Sequence, residues 1–404
     1  MALGRTKPAG CDHHTAARRV DPQLPGPRAM RTAMAVIRAA ARLALAALLV
    51  TPAAWGQDDV ERGTAASGPT AVTTGSSCAA ALCSVIEVAA DDDLPWGLAV
   101  LRGEILYSRR DALDIIRLDP ATGRKSNAGP IPGAQGTGGE GGVMGIATAA
   151  DFASDPWLYV MHTTATDNRV IRIRYTGGVL TGSPQVLLSG IPRDKYHNGG
   201  RLRFGPDGKL YITTGDAQNR SAAQDRASLA GKVLRLNPDG TIPPDNPFGN
   251  AVWSYGHRNP QGLAFDKHGR LWEQEFGESK WDETNLVVRG GNYGWPQCEG
   301  TCDDPTSIPP KRTYPTGEAS CSGIAASGDA LYAACLRGRR LYRVAITGEN
   351  LGEPEPHLHG THGRLRTVEP ADGGLWVTTS TKGDKDSVPH NSAEHILKVT
   401  LSVP

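Results

Sequence analysis

Along the chain, short runs of aliphatic and aromatic residues alternate with turn residues and never settle into a sustained helical period. One unit recurs six times: a turn, then an aliphatic residue, then an aromatic one. It reads Gly103-Glu-Ile-Leu-Tyr107, Pro156-Trp-Leu-Tyr159, Gly208-Lys-Leu-Tyr211, Gly269-Arg-Leu-Trp272, Gly328-Asp-Ala-Leu-Tyr332 and Gly373-Gly-Leu-Trp376. The aromatic positions are 52, 52, 61, 60 and 44 residues apart. Ahead of most of them lies a second element of small and aliphatic residues: Gly97-Leu-Ala-Val, Gly145-Ile-Ala-Thr, Gly200-Arg-Leu-Arg-Phe, Gly262-Leu-Ala-Phe and Gly323-Ile-Ala-Ala, with Leu365-Arg-Thr-Val in the sixth place. A further strand follows most of the aromatic ones, as in Ile115-Ile-Arg-Leu, Val170-Ile-Arg-Ile and Leu341-Tyr-Arg-Val. Each unit thus supplies at least three short strands separated by turns. One sheet of this size cannot bury both its faces, whereas sheets stacked radially around an axis can. The pattern predicts an all-β, six-bladed β-propeller with few, short helices. A β-sandwich would leave six similar units unexplained.

The first residues follow a different pattern. Arg31, Arg38 and Arg42 precede an apolar run from Leu43 to Val50, and Ala54-Trp55-Gly56 offers a small-residue exit before Gln57. Residues 1–56 therefore read as a leader and secretory signal peptide, with Met30 and Met34 as candidate starts. The apolar run is shorter than the roughly 20 residues a membrane span needs, so none is expected in the mature chain. Residues 57–83, rich in Gly, Ser, Thr and Ala, read as a flexible linker, and 84–404 as the propeller. A secreted or periplasmic location follows. Removing the leader removes Cys11 and leaves six cysteines, enough for three bridges in an oxidising compartment. Nearest-neighbour pairing is expected: 78–83, 298–302 and 321–335. A zinc site is the competing reading, but Cys298 and Cys302 lack a second ligand pair at the usual spacing.

Composition narrows the class further. Gly and Pro, 49 and 29 of 404 residues, fit a turn-rich fold without the three-residue glycine period of collagen. Eight Trp and ten Tyr argue against bulk disorder. With 43 basic and 42 acidic residues the formal charge is +1, which speaks against nucleic acid or an anionic membrane surface as the main partner.

Blade symmetry indicates which distant residues meet. The loop entering the innermost strand of each blade faces the axis. His197 lies 14 residues before Tyr211, and Arg258 lies 14 before Trp272, so they hold matching positions in adjacent blades. Arg364 and Arg366 precede Trp376 by 12 and 10 residues, and Glu140 precedes the inner strand of the second blade. Several guanidiniums at one mouth predict a polyanionic ligand, and an imidazole beside them is placed for proton transfer. Taken alone, His197 also reads as a structural hydrogen-bonder, and Arg364 or Arg366 as surface residues.

Three segments then carry a recognisable pattern: His197-Asn-Gly-Gly-Arg-Leu-Arg-Phe-Gly-Pro-Asp-Gly-Lys-Leu-Tyr, Gly256-His-Arg-Asn-Pro-Gln-Gly-Leu-Ala-Phe and Gly290-Gly-Asn-Tyr-Gly-Trp-Pro. With Gly139-Glu-Gly-Gly-Val and Gly363-Arg-Leu-Arg, the chain from about Leu94 to Val399 resembles the soluble pyrroloquinoline-quinone (PQQ)-dependent aldose sugar and glucose dehydrogenases. The resemblance implies an enzyme oxidising the anomeric carbon of an aldose, with hydride passing to the quinone and electrons leaving to an external acceptor. It implies that His197 is the general base, that Arg258 and Asn259 contact the quinone oxygens, and that Arg364 and Arg366 hold cofactor carboxylates. Arg337 stands where relatives have a cofactor-binding Lys, and Glu140 where they often have Gln. Calcium is implied at two places: the backbone of Phe276-Gly277-Glu278, and the Glu283 carboxylate with the Tyr293 carbonyl. A monomer or homodimer is expected. A calcium-dependent lactonase and a non-catalytic propeller that binds a glycan or protein are the alternatives.

Overall fold

In the computed structural model, residues 81–380 and 393–402 are described. The leader, most of the linker and Cys78 lie outside them. The chain divides into Met1–Pro69, which is wholly outside, and Thr70–Pro404, which holds the propeller. Six antiparallel sheets follow one another, each of four or five strands, and the only described helix is a single 3₁₀ turn, Arg220–Ala223.

The inner ring consists of Pro95–Leu101, Val143–Thr148, Leu202–Phe204, Pro260–Phe265, Cys321–Ser327 and Leu365–Ala371. These strands contact one another from blade to blade around the axis. They are the small-residue elements of the repeat, because close approach at the hub leaves room only for small side chains. A Cβ on Gly145 would lie 2.1 Å from the Gly200 carbonyl, and one on Gly97 would lie 2.5 Å from that of Met144. The aromatic elements form the second strands, where the Trp272 and Tyr107 side chains are fully buried between sheets. Strand alternation supplies the inter-blade layers, for example Leu98, Ile105, Tyr107, Ile116, Trp376 and Ile396 between the first and last blades.

Ring closure is where the repeat count fell short. The sixth blade has only three strands from its own unit, and its outermost strand is Leu82–Asp91, paired antiparallel with Glu394–Leu401. That strand begins two residues before the expected edge of the propeller. Two expected disulfides are present, Cys298–Cys302 and Cys321–Cys335, which removes the zinc reading for the first pair. Cys83 is also disulfide-bonded. No helix of the described residues is long and apolar enough to cross a membrane.

Candidate functional site

In an antiparallel blade the start of the inner strand and the end of the second strand share one rim. Loops at both places converge on a polar cavity of about 440 Å³. His197, Arg258, Asn259, Glu140, Arg337, Arg364 and Glu278 line it, joined by Tyr196, Gln218 and Ser320. The convergence deduced from matching blade positions is therefore present. Arg366 departs from it. The side chain is 2% exposed and lies deeper along the axis, where Nε donates to Ser380 Oγ (2.8 Å) and Nη1 to Gln261 Oε1 (3.1 Å). Residues 364 and 366 sit two apart, so the first ends on the rim and the second inside the inner strand. Arg366 braces the wall rather than lining the cavity.

The imidazole of His197 is held by a residue that sequence reasoning missed. Its Nδ1 lies 2.7 Å from Asp216 Oδ1, and the same carboxylate accepts from Trp295 Nε1 (2.8 Å) and the Gln218 N–H (2.8 Å). Burial opposes the charge on Asp216, but the bonds from His197, Trp295 and Gln218 outweigh it and hold the carboxyl below its ordinary value. A charged Asp216 can only accept, so Nδ1 of His197 carries the hydrogen and Nε2 keeps its lone pair in the neutral ring. A signal existed: Asp216 lies five residues after Tyr211, where the second strand returns to the rim.

The backbone here is bent into shape. His197, Ala217 and Gln218 all have positive φ (59°, 49° and 61°), a cost that glycine would avoid and that persists at sites fixed by their surroundings. Gly215 must be glycine, since a Cβ would lie 2.0 Å from the His197 carbonyl.

Glu140 is compensated rather than exposed to repulsion. Its Oε2 accepts from the His197 N–H (2.9 Å) and Asn259 Nδ2 (3.0 Å). Asn259 Oδ1 in turn accepts the Gly199 N–H (3.0 Å), so one amide ties the loops of blades 2, 3 and 4. One Nδ2 hydrogen of Asn259 remains after these bonds. Arg258 donates from Nη1 to the Phe276 carbonyl (3.1 Å), whereas its Nε is buried without a partner.

The residues expected to hold calcium divide between two hollows. Glu278 lines the main cavity, while Gly277, Glu283 and Tyr293 line a small adjoining one whose wall includes Arg258 and Phe276. The intervening loop is pinned by Glu299, whose Oε1 accepts four successive backbone N–H groups from Glu278 to Trp281 (2.7, 2.7, 2.8 and 3.2 Å). Asp282 accepts from the Gly277 (2.9 Å) and Ser320 (2.5 Å) N–H groups, yet burial pushes its carboxyl up to about 6. Burial, and then the neighbouring Glu275, push Glu283 well above the carboxylate range.

Fold and site together define a six-bladed propeller with an axial pocket that pairs a histidine–aspartate dyad with guanidiniums. Residues 92–387 match the glucose/sorbosone dehydrogenase family model, and the chain belongs to that family. It is similar to the PQQ-bound aldose sugar dehydrogenase of Streptomyces coelicolor, with 43% identity and a TM-score of 0.74 over 78% of this chain and 98% of that one. Among curated relatives, quinoprotein glucose dehydrogenase B of Acinetobacter calcoaceticus is 38% identical over 50% of this chain and 49% of its own length. Aldose sugar dehydrogenase YliI of Escherichia coli is 32% identical over 52% of this chain and 61% of its own. The chain thus spans about half to three fifths of the length of these curated relatives.

Proposed function

We propose that this chain is an extracytoplasmic, PQQ- and calcium-dependent dehydrogenase that oxidises the anomeric carbon of an aldose to the lactone. The observation that carries the reading is the dyad of His197 and Asp216 opening on the same cavity as Arg258, Arg337 and Arg364. The donor set fits a tricarboxylated quinone, since permanent cations line the hollow and the buried Arg258 Nε lacks an acceptor. Bound PQQ would supply the hydride acceptor.

The protein's own part follows from the geometry. His197 Nε2 takes the proton of the anomeric hydroxyl, and Asp216 keeps the ring in the required tautomer and stabilises the imidazolium that forms. Arg258 and the remaining Asn259 hydrogen stabilise negative charge growing on oxygens at the cavity wall. Arg337 and Arg364 bind the ligand's carboxylates, with Arg337 keeping the positive charge on a differently shaped donor than lysine. Calcium would be held by the backbone of Gly277 and Glu278, and a second ion by Glu283 and the Tyr293 carbonyl, all oxygen donors. A lactonase would need acidic ligands converging on the axis, and this mouth gathers arginines instead.

The test is direct. Purified apoprotein given PQQ and Ca²⁺ together should reduce an artificial electron-accepting dye with one or more aldoses, and should do so with neither supplement alone. No quinone binding, with lactone hydrolysis or glycan retention in its place, would overturn the assignment.

A further inference from the structure

Behind the pocket wall, in blade 4, three side chains that the proposed redox chemistry does not use face one another. One ligand atom each of His257, Glu273 and Glu275 lies within 4.8 Å of the other two. Their exposures are 0%, 0% and 4%. His257 Nδ1 is 3.2 Å from Glu275 Oε1 and 3.8 Å from Glu273 Oε2. On its far side Nε2 sits 2.8 Å from Ser254 Oγ, and the ring stacks on Tyr293 at 4.7 Å. With an ion between them and Nε2–H given to Ser254 Oγ, the Nδ1 lone pair would face the two carboxylates, the orientation of a metal ligand fixed by an outer hydrogen bond.

Two further observations point to a missing partner. Glu273 Oε1 is buried with no hydrogen-bond partner, and among the described residues the only neutral donor to the carboxylate oxygens that face His257 is Asn285 Nδ2, 3.0 Å from Glu273 Oε2 and 3.2 Å from Glu275 Oε1. Glu273 and Glu275 have, among the described residues, no Lys or Arg in ion-pairing range, only His257. Carboxylates buried together without a cation are costly, and a divalent ion removes that cost.

We propose that His257 Nδ1 and the carboxylates of Glu273 and Glu275 bind one divalent cation of the Mn²⁺, Fe²⁺ or Zn²⁺ class. An imidazole with two carboxylates suits these ions, whereas calcium prefers oxygen alone. The two separations from His257 Nδ1, 3.2 and 3.8 Å, match an ion roughly 2.1 Å from each atom. The donor atoms differ from those expected to hold calcium. The role is positional. Glu275 Oε2 accepts the Arg258 N–H at 2.7 Å, so the ion fixes the peptide that presents Arg258 to the pocket. The proposal stands apart from the identity of the pocket ligand.

The experiment uses the untagged chain, stripped with a chelator and titrated separately with Mn²⁺, Zn²⁺ and Ca²⁺ in the absence of quinone. One Mn²⁺ or Zn²⁺ per chain should bind and raise Tm by about 5 °C at a hundredfold excess over Kd. Glu273→Gln should weaken that binding by about a hundredfold or more. Should the variant fail to fold, the wild type still decides: pulsed electron paramagnetic resonance of the Mn²⁺-loaded chain should detect one coordinated imidazole nitrogen. The proposal is overturned if the wild type takes up neither metal, if the bound ion lacks an imidazole nitrogen, or if Glu273→Gln titrates like the wild type.

Discussion

The mouth of the pocket and the layer beneath it gather opposite kinds of ionisable group, bases above and acids below, and are assembled in different ways. Guanidiniums of Arg258, Arg337 and Arg364 arrive at the mouth on loops from blades 4, 5 and 6. The carboxylates below, Glu273, Glu275 and Glu283, all come from two neighbouring strands of blade 4, Leu271–Glu275 and Trp281–Val287. In that register Glu275 faces Glu283 and Glu273 faces Asn285, so the acids share one face of one sheet. Like charges directly opposite in a sheet destabilise it. The two regions meet at residue 258, whose side chain belongs to the cationic mouth and whose N–H is bound by Glu275. The difference teaches that each region collects ionisable groups of one kind, guanidiniums above and carboxyls below, which a ligand of opposite sign would offset.

The sharpest way to break this picture is His197→Ala. Turnover should fall by roughly 10²- to 10⁴-fold while quinone binding persists, as read by dye reduction beside quinone titration. Unchanged turnover would remove His197 as the base. Arg364→Ala should act on the other quantity, weakening quinone retention by roughly 10- to 100-fold through the loss of a charged hydrogen bond, measured by equilibrium titration.

Asp216→Asn tests the dyad through stability. The native carboxyl titrates below the ordinary aspartate value of about 3.9, so the unfolded state binds more protons as pH falls. Its contribution is complete above that value and is lost as pH drops through the native one. The variant should lose roughly 1–3 kcal/mol at pH 7 in denaturant unfolding, and the difference should shrink in stronger acid. A difference independent of pH would mean the carboxylate charge is immaterial. Glu140→Gln should have the smallest effect. The amide oxygen can still accept from the His197 N–H, and removal of one negative charge should tighten quinone binding a few-fold. Weaker binding would show that the charged acceptor is needed to hold the His197 loop.

Much of the fold was legible because the hub of a propeller imposes a chemical signature. Small residues recur where inner strands crowd together, and an aromatic recurs one strand outward, as at Gly262 and Trp272. The closing strand Leu82–Asp91 was not legible as part of the last blade, since nothing local in Leu-Cys-Ser-Val says it will pair with residues some 300 positions away. At the site, blade symmetry found His197, Arg258 and Arg364 because all three stand at the same kind of loop. It overreaches at Arg366, where a two-residue offset moves a side chain from rim to interior, and it does not reach Asp216, which stands on the other of its blade's two rim loops. The buried glutamates were overlooked for a different reason. Strand alternation marks Glu273 and Glu275 as sharing a face, but which face is buried depends on the neighbouring blade.

By itself, the sequence determined the number of blades, the rim on which the chemistry gathers and the positive charge of the mouth, because each of these follows from a period or a residue type. Only the tertiary structure decided that Asp216 sets the tautomer of His197, that Glu140 accepts hydrogen bonds from donors on two other loops, and that three carboxyl groups meet inside blade 4. Those outcomes depend on hydrogen-bond distances between strands brought together by the closed ring, and no local pattern of residues encodes such distances.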